Sequence, residues 1–266
     1  MSDECIHGFV DGLCATCNPK PLPEAVAVAR PAARSRVAAP PRATVRSLRA
    51  AARIPVGSAP ADTLLEQRIY HLTHVSNLPG ILEERAIVAG AVPQLDLSTP
   101  ELRNERLGEP ILGTSELRLS DFVPFFLSPE AELWQSLRSG REHPRLSKAA
   151  LSAEPFDFVF LVSTVRHVAA DDPAFVLADA NVEGSATRFG STREDAERML
   201  YRLRAESDPV HLSNAELLVA HRLPLESVTL IGVANDKVRS AVRDVLAGSD
   251  FTPKISVYPP WFQPSE

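Results

Sequence analysis

The sequence has few cysteines, and none of them lies in the larger part of the chain. The three cysteines all precede residue 18, so no disulfide can cross-link residues 18–266. Long apolar runs are also missing. No stretch of about eighteen uninterrupted apolar residues occurs, and the first residues lack the basic and apolar regions of a signal peptide. We therefore expect a cytoplasmic protein whose core is stabilised by burial alone.

Four widespread nucleotide-binding and catalytic signatures are absent as well. The sequence contains no Walker-type Gly-Lys-Ser/Thr, no Gly-x-Gly-x-x-Gly, no Gly-x-Ser-x-Gly elbow and no His-Glu-x-x-His. These absences argue against P-loop nucleotide hydrolases, α/β-hydrolases and zinc metalloproteases. Any dinucleotide would have to be bound by a non-Rossmann fold.

Charge is distributed unevenly along the chain, whose net charge is −6. Residues 18–63 carry eight basic and two acidic residues, a net charge of +6. Residues 64–266 carry twenty basic and twenty-nine acidic residues, a net charge of −9. A body with this charge repels nucleic acid at long range, so a polyanionic partner would have to be attracted by the basic segment or by a local groove.

Composition divides the chain into three regions, 1–18, 19–63 and 64–266. Residues 19–63 are rich in Pro, Ala and Arg, which predicts a flexible, disordered linker. Residues 64–266 contain short apolar runs, irregular connections and a few helical patterns, which is typical of an α+β domain without regular βαβ winding. The predicted strands are 69–73, 122–127, 158–162, 215–219, 228–233 and 254–258, and the predicted helices are 77–84, 193–203 and 236–246.

The first region contains four potential metal ligands within thirteen residues, namely Cys5, His7, Cys14 and Cys17. The Cys-x2-Cys half has a spacing usual for zinc sites, whereas the Cys-x-His half does not. We expect a small zinc knuckle with one structural zinc. The alternative is a loose tail with reduced thiols.

Two predicted strands place polar groups beside apolar residues. Glu216 stands at the start of an apolar run, where a carboxylate either faces solvent at a strand edge or has a function. His71 and Thr73 alternate with Leu72, so they project to the same side of a strand and could meet one ligand. The plainer interpretation of His71 is a hydrogen-bonded structural residue.

Three separated motifs resemble those of the DarT family, in the family's order. They are Ile-Tyr-His-Leu-Thr-His at 69–74, Asp-Phe-Val-Pro-Phe-Phe-Leu-Ser-Pro at 121–129, and Asn-Ala-Glu-Leu-Leu-Val at 214–219. In the third motif Asn214 replaces a glutamine of the family and Leu217 a phenylalanine. DarT proteins are toxins of bacterial toxin-antitoxin pairs that transfer ADP-ribose from NAD to a base of single-stranded DNA. The resemblance implies an ADP-ribosyltransferase-like fold in which NAD binds in a cleft between two small sheets.

The resemblance also implies roles for individual residues. Glu216 would hydrogen-bond the nicotinamide ribose and help to remove a proton from the attacking base nitrogen. Arg106 would be the family's essential arginine, with Arg103 as the alternative, although either arginine could instead pair with Glu101 or Glu105 on a helix. NAD-binding residues would be His71, Thr73, Arg103, Phe122 and Phe126, while Phe125 belongs in the core.

By the same resemblance, thymidine in single-stranded DNA is the expected acceptor, and a separately encoded macrodomain-type antitoxin the expected partner. Catalysis would need no metal. Two alternatives stay open at this stage. The acceptor could be RNA, or it could be a protein, and an acidic body tolerates a protein acceptor better. The chain could also be an inactive adaptor that binds nucleic acid.

Overall fold

A computed structural model of the chain describes residues 64–108, 111, 117–170, 174–180, 187–206, 208 and 210–264. All of them lie within one unit, Ile54–Glu266. The expected linker and zinc knuckle fall outside the described residues. In the part of the chain that the structure describes, no helix has the length and apolar character needed to cross a membrane.

The described residues form an α+β fold with ten strands and eight α-helices. The strands are β1 (Arg68–His74), β2 (Ala86–Val88), β3 (Phe122–Phe126), β4 (Phe158–Thr164), β5 (Phe175–Ala178), β6 (Phe189–Gly190), β7 (Glu216–Ala220), β8 (Arg222–Pro224), β9 (Leu230–Val233) and β10 (Lys254–Val257). The helices are α1 (Leu78–Glu83), α2 (Pro100–Gly108), α3 (Glu132–Arg138), α4 (Lys148–Ser152), α5 (Val165–Ala170), α6 (Arg193–Ala205), α7 (Val210–Asn214) and α8 (Asp236–Leu246).

Eight strands form one mixed sheet in the order β10-β9-β4-β1-β3-β7-β5-β6, and β2 pairs with β8 in a small second sheet. Only β10 and β9 run parallel among the paired strands described. The central strand β4 is buried along almost its whole length because both faces of the sheet are covered. Phe158 and Phe160 enter the core on one face, and Val159 and Leu161 enter the core on the other.

Helices cover both faces of the sheet. The larger core includes buried residues of α5, α6 and α8, and the second core includes Trp134 of α3 and Ala150 of α4. In the second core Gly232 lies directly under Trp261, since a Cβ there would come within 2.6 Å of the indole. A third cluster extends the second face across β3, β5 and β7.

Within the large sheet, the neighbouring strands β1 and β3 are paired at one position only. β1 pairs with β3 only at Tyr70↔Phe126, whereas β1 pairs with β4 along all seven of its residues and β3 with β7 along all five. No other residue pair in the ladder joins these two strands among the described residues. This pair joins two four-stranded halves, β10-β9-β4-β1 and β3-β7-β5-β6, within one continuous sheet. The expected cleft between two small sheets stays a prediction.

Helix α2 is not among the helices that the sequence patterns predict, although the possible pairing of its two arginines with Glu101 or Glu105 presumes a helix there. Thr99 caps it, because its Oγ1 accepts a hydrogen bond from the Leu102 backbone at 3.2 Å. Pro100 occupies the first turn, where its missing N–H costs no hydrogen bond. Among the described residues of this helix, Leu102 is the buried one. One apolar contact does not produce the repeating apolar pattern by which a helix is predicted from sequence.

Candidate active site

Glu216 is a buried carboxylate at the first position of β7. Its backbone lies between Phe126 of β3 and Ala178 of β5, and only 1% of the residue is exposed. The solvent-facing alternative for this residue is therefore wrong. A buried charge is costly unless it is paired or hydrogen-bonded, so its partners decide what it can do.

The partner of Glu216 is Arg145, on the irregular segment between α3 and α4. Arg145 Nη2 donates to Glu216 Oε1 at 3.0 Å, and the two side chains are 13% and 2% exposed. The second oxygen, Oε2, is buried and has no hydrogen-bond partner among the described residues. It is an acceptor that a donor from a ligand could satisfy.

Backbone contacts hold Arg145 in place from two sides. Its N–H donates to His143 Nδ1 at 3.2 Å, and its carbonyl accepts from the Thr99 N–H at 3.3 Å. Ser98 and Leu146 form an isolated β-bridge beside this contact. The backbone of Arg145 is thus positioned in part by the segment that leads into α2.

His71 lies on β1 at the split of the sheet. Its Nδ1 is 3.1 Å from the Pro124 carbonyl of β3, an acceptor, so Nδ1 carries the proton and Nε2 is free to accept. Burial lowers the pKa of His71, with a smaller opposing effect of the Pro124 hydrogen bond. The ring is 5.4 Å from that of Phe125. A neutral imidazole therefore bridges the two halves of the sheet.

Thr73 is also on β1 and is buried. Its Oγ1 accepts a hydrogen bond from Asn77 Nδ2 at 3.0 Å, so its own hydroxyl proton must be donated elsewhere. Asn77 Nδ2 also donates to the Leu95 carbonyl at 2.8 Å, and Asn77 Oδ1 accepts from the Leu95 N–H at 2.8 Å. This amide ties β1 to the segment before α2.

Strand register shows which predicted residues share a face. Glu216 lies opposite Phe126, and Phe126 lies opposite Tyr70, so these three belong to one face. His71 and Thr73 alternate with Tyr70 and belong to the other face, the one on which Phe125 is buried. The structure therefore places the two groups on opposite faces, next to the line where the sheet divides.

Comparison with known proteins identifies this arrangement. Residues 70–263 match the family model described as "ssDNA thymidine ADP-ribosyltransferase, DarT". The chain belongs to the DarT family. It is similar to a DNA ADP-ribosyl transferase of Escherichia coli O127:H6, with 24% identity over 208 residues that cover 73% of this chain and 92% of the relative.

Two solved structures of Thermus sp. 2.9 DarT share the fold. One is in complex with ADP-ribosylated single-stranded DNA, with a TM-score of 0.62, 23% identity and coverage of 74% of this chain and 96% of that one. The other is in complex with NAD+, with a TM-score of 0.61, 22% identity and coverage of 74% and 98%. The predicted α+β class is confirmed, and the structure adds that the sheet is mixed, as in the DarT fold.

The aromatic residues of the DarT motif on β3 differ in burial. Phe122 is 2% exposed and packs in the third cluster with Leu119 and Leu218, so it supports the site from within the core. Phe126 is partly buried and lies directly opposite Glu216. Phe125 is in the main core, as the sequence predicts.

The two arginines indicated by the DarT resemblance lie on α2. Arg103 pairs with Asp96, just ahead of the helix, and not with Glu101 or Glu105. Arg106 Nη2 is 3.4 Å from the Leu119 carbonyl, in the turn that leads into β3.

Arg145 is a candidate site residue that the sequence does not reveal. Its segment has neither helical nor strand spacing, so no pattern in the sequence connects it with Glu216. The ion pair between the two side chains becomes visible only in the folded chain.

The four predicted zinc ligands, Cys5, His7, Cys14 and Cys17, lie outside the described residues. Within the described part of the DarT domain, no group of three or more His, Cys, Asp or Glu side chains is arranged to hold a metal. The described residues therefore add no candidate metal ligands to the four that the sequence predicts.

His71 should make the stability of the DarT domain depend on pH. Because burial lowers its pKa in the folded state, the unfolded chain takes up the proton first. The contribution of neutral His71 to the free energy of unfolding is therefore fully present at a pH above the ordinary histidine pKa of about 6.5. It is lost as the pH falls below that value, by at most about 1.4 kcal/mol per pH unit. His71→Asn keeps a donor for the Pro124 carbonyl but cannot titrate. We expect urea unfolding at several pH values to show a shallower slope for this variant, and an unchanged slope would contradict the assignment.

Proposed function

We propose that this chain transfers ADP-ribose from NAD to a thymidine base of single-stranded DNA. The observation that carries the proposal is Glu216, buried, with one oxygen held by Arg145 and the other without a partner among the described residues. Membership of a family described by this activity supports it. So do the NAD+ and ADP-ribosylated DNA complexes of the Thermus protein.

The residues present fit the nicotinamide half of NAD. Glu216 Oε2 is an acceptor in a dry site, and a ribose hydroxyl is a donor that would satisfy it. His71 and Thr73 lie on the opposite face and would reach the same ligand across the line where the sheet divides. His71 would contribute a neutral ring whose Nε2 accepts, and Thr73 a hydroxyl whose proton is not used by Asn77. Phe126, beside Glu216, offers an aromatic surface for a flat heterocycle.

The proposed reaction breaks the bond between the ribose C1′ and the nicotinamide nitrogen. The electron pair of that bond leaves with nicotinamide, which departs neutral, and the ribose develops oxocarbenium character. A ring nitrogen of the base then forms the new bond to C1′ and loses its proton, for which Glu216 is the acceptor. The Glu216 carboxylate also stabilises the positive charge that develops on the ribose, in a site with little water to screen it.

Arginines would assist at two places. Arg145 fixes the orientation of the Glu216 carboxylate, so that Oε2 faces the ligand. Arg106 and Arg103, on α2, suit the pyrophosphate or the target base, since a guanidinium donates through a planar fork. We retain Arg106 as the proposed essential arginine and Arg103 as the alternative.

Positive charge on the segment around Arg145 suits a nucleic-acid acceptor despite the acidic domain. Arg141 and Lys148 are exposed on either side of Arg145, and Glu142 is the one acidic residue between 141 and 148. Together with the basic residues of 18–63, this segment supplies positive charge for phosphate contacts. We also propose, from the motif resemblance, that the chain acts in the cytoplasm as a toxin opposed by a macrodomain-type antitoxin.

Labelled NAD tests the acceptor directly. The full chain is incubated with NAD labelled in the adenylate and with separate pools of single-stranded DNA, duplex DNA, RNA and protein. We expect label in the single-stranded DNA pool, on thymidine. Label confined to RNA or protein would replace the proposed acceptor, and absence of label in every pool would reject the transferase function.

We further propose that Cys5, His7, Cys14 and Cys17 bind one structural zinc. The support is their number and the Cys-x2-Cys spacing. Elemental analysis of protein purified without chelator should give one equivalent of zinc per chain. The Cys14→Ser and Cys17→Ser double variant should lose it, and zinc well below one equivalent in the unaltered protein would overturn the proposal.

A further inference from the structure

The short segment from Leu95 to Thr99 contacts both sides of the candidate site. At its beginning, the Leu95 backbone makes two hydrogen bonds with the Asn77 side chain, which also holds Thr73 on β1. At its end, the Thr99 N–H donates to the Arg145 carbonyl at 3.3 Å. This segment therefore connects the strand of the predicted NAD contacts with the arginine that pairs with Glu216.

Ser147 makes the shortest contacts between this segment and that of Arg145. Its N–H donates to the Leu97 carbonyl at 2.7 Å, and its Oγ donates to the Asp96 carbonyl at 2.6 Å. Its Oγ also accepts from the Ala150 N–H at 3.0 Å and so caps α4. The Ser147 hydroxyl therefore donates one hydrogen bond and accepts another, and each bond goes to a different segment.

The position of Arg145 depends on such contacts because its segment has no regular structure. Residues 139–147 join α3 to α4 without helix or strand. Arg145 is two residues before Ser147, and its guanidinium must reach across to Oε1 of Glu216 on another element. A displacement of ~1 Å in a catalytic group can lower the rate by about 100-fold.

We infer that Ser147 is a positioning residue that acts through Arg145 on Glu216. The inference rests on the proposed function. Loss of the Ser147 hydroxyl removes the bond to the Asp96 carbonyl and leaves the backbone contacts of Ser147 and Arg145 to hold the two segments together. Arg145 is then held less firmly and no longer keeps the carboxylate in one orientation. We expect the effect on kcat, because the contact that Ser147 secures is the one that orients the Glu216 carboxylate.

Capping of α4 is the competing role for Ser147, and a matched control separates the two. Asn235 caps α8, with its Oδ1 accepting from the Val238 N–H at 3.0 Å. Asn235→Ala removes a cap bond of the same length from a helix that carries no residue of the candidate site. Ser147→Thr keeps both the donor and the cap acceptor.

Steady-state transfer onto a single-stranded oligonucleotide, with NAD varied, is the first measurement. We expect Ser147→Ala to lower kcat by about tenfold or more with little change in KM for NAD. Ser147→Thr should restore kcat, and Asn235→Ala should leave it unchanged. In an Arg145→Ala background, Ser147→Ala should lower kcat no further, since both changes remove the same constraint.

Two outcomes would overturn the inference while leaving the proposed function intact. One is an unchanged kcat in Ser147→Ala, and the other is an additive loss in the double variant. If the unaltered chain transfers nothing, the proposed function fails. The link between Ser147 and Arg145 is then tested by chemical unfolding of four proteins: the unaltered chain, the two single variants and the double variant. Non-additive effects of Ser147→Ala and Arg145→Ala on the unfolding midpoint would support the link, and additive effects would reject it.

Discussion

Glu216→Gln should reduce kcat for ADP-ribose transfer by about 10³-fold, because it removes the proton acceptor and the negative charge at the reacting ribose. Glutamine is nearly isosteric with glutamate. Its amide oxygen can still accept the Arg145 hydrogen bond that Oε1 accepts at 3.0 Å. We therefore expect the fold to be retained. The measurement is single-turnover transfer of labelled ADP-ribose onto a thymidine-containing oligonucleotide, together with thermal unfolding.

Glu226→Gln is the matched control for that variant. Glu226 also pairs with an arginine, Arg85, at 3.3 Å, but both side chains are 66% exposed. An exposed pair of this kind contributes little to stability, and it lies in the turn after β8, away from Glu216. Its transfer rate should equal that of the unaltered chain. Full transfer by a folded Glu216→Gln protein would show that the site lies elsewhere.

Much of the fold could be predicted from the sequence where the local pattern and the tertiary environment agree. The central strand is an unbroken apolar run because both of its faces are buried, and α8 begins at Asp236 and ends at Leu246 as its spacing predicts. The first strand lies where its sequence predicts a strand, but its burial does not alternate, because both faces of the sheet are covered. Such elements carry their own signal.

Elements that are stabilised mainly by tertiary contacts were not predicted from the sequence. Helix α3 begins after Ala131, which makes no side-chain capping bond, so no start signal exists in the sequence. Its Trp134 is fully buried, and the indole N–H donates to the Trp261 carbonyl at 2.6 Å. That partner is far along the chain, and only the folded structure brings it near. Helix α2 had a signal at Thr99-Pro100-Glu101, which the polar surroundings obscured.

The candidate site was predictable to the same extent. Glu216, His71 and Thr73 stand in motifs next to strands, so their types and spacing indicate a site. The face that each residue occupies depends on the register between β1, β3 and β7, which single segments do not specify. Arg145 depends on an irregular connection, and its role follows from a contact that spans 71 residues of sequence.

The buried pair also predicts how activity and stability should separate. Arg145→Ala leaves the Glu216 carboxylate buried without its ion partner, which should cost about 3–5 kcal/mol of unfolding free energy. It should also reduce kcat by about 100-fold, since the carboxylate loses its fixed orientation. Adding Glu216→Gln to Arg145→Ala removes the unpaired charge. The double variant should therefore recover part of the lost stability and stay inactive.

Urea unfolding of the single and double variants measures the stability side of this prediction, and single-turnover transfer measures the activity side. Arg193→Ala is the control, because Arg193 pairs with Glu197 at 3.2 Å on α6 while the two side chains are 56% and 45% exposed. Removal of that pair should change the unfolding free energy by less than about 1 kcal/mol.

If Arg145→Ala lowered the unfolding free energy as little as Arg193→Ala, Glu216 would have to be held by other groups. If the double variant were less stable than Arg145→Ala alone, the cost in the single variant would not come from the unpaired carboxylate, and the arginine would act through packing of its segment.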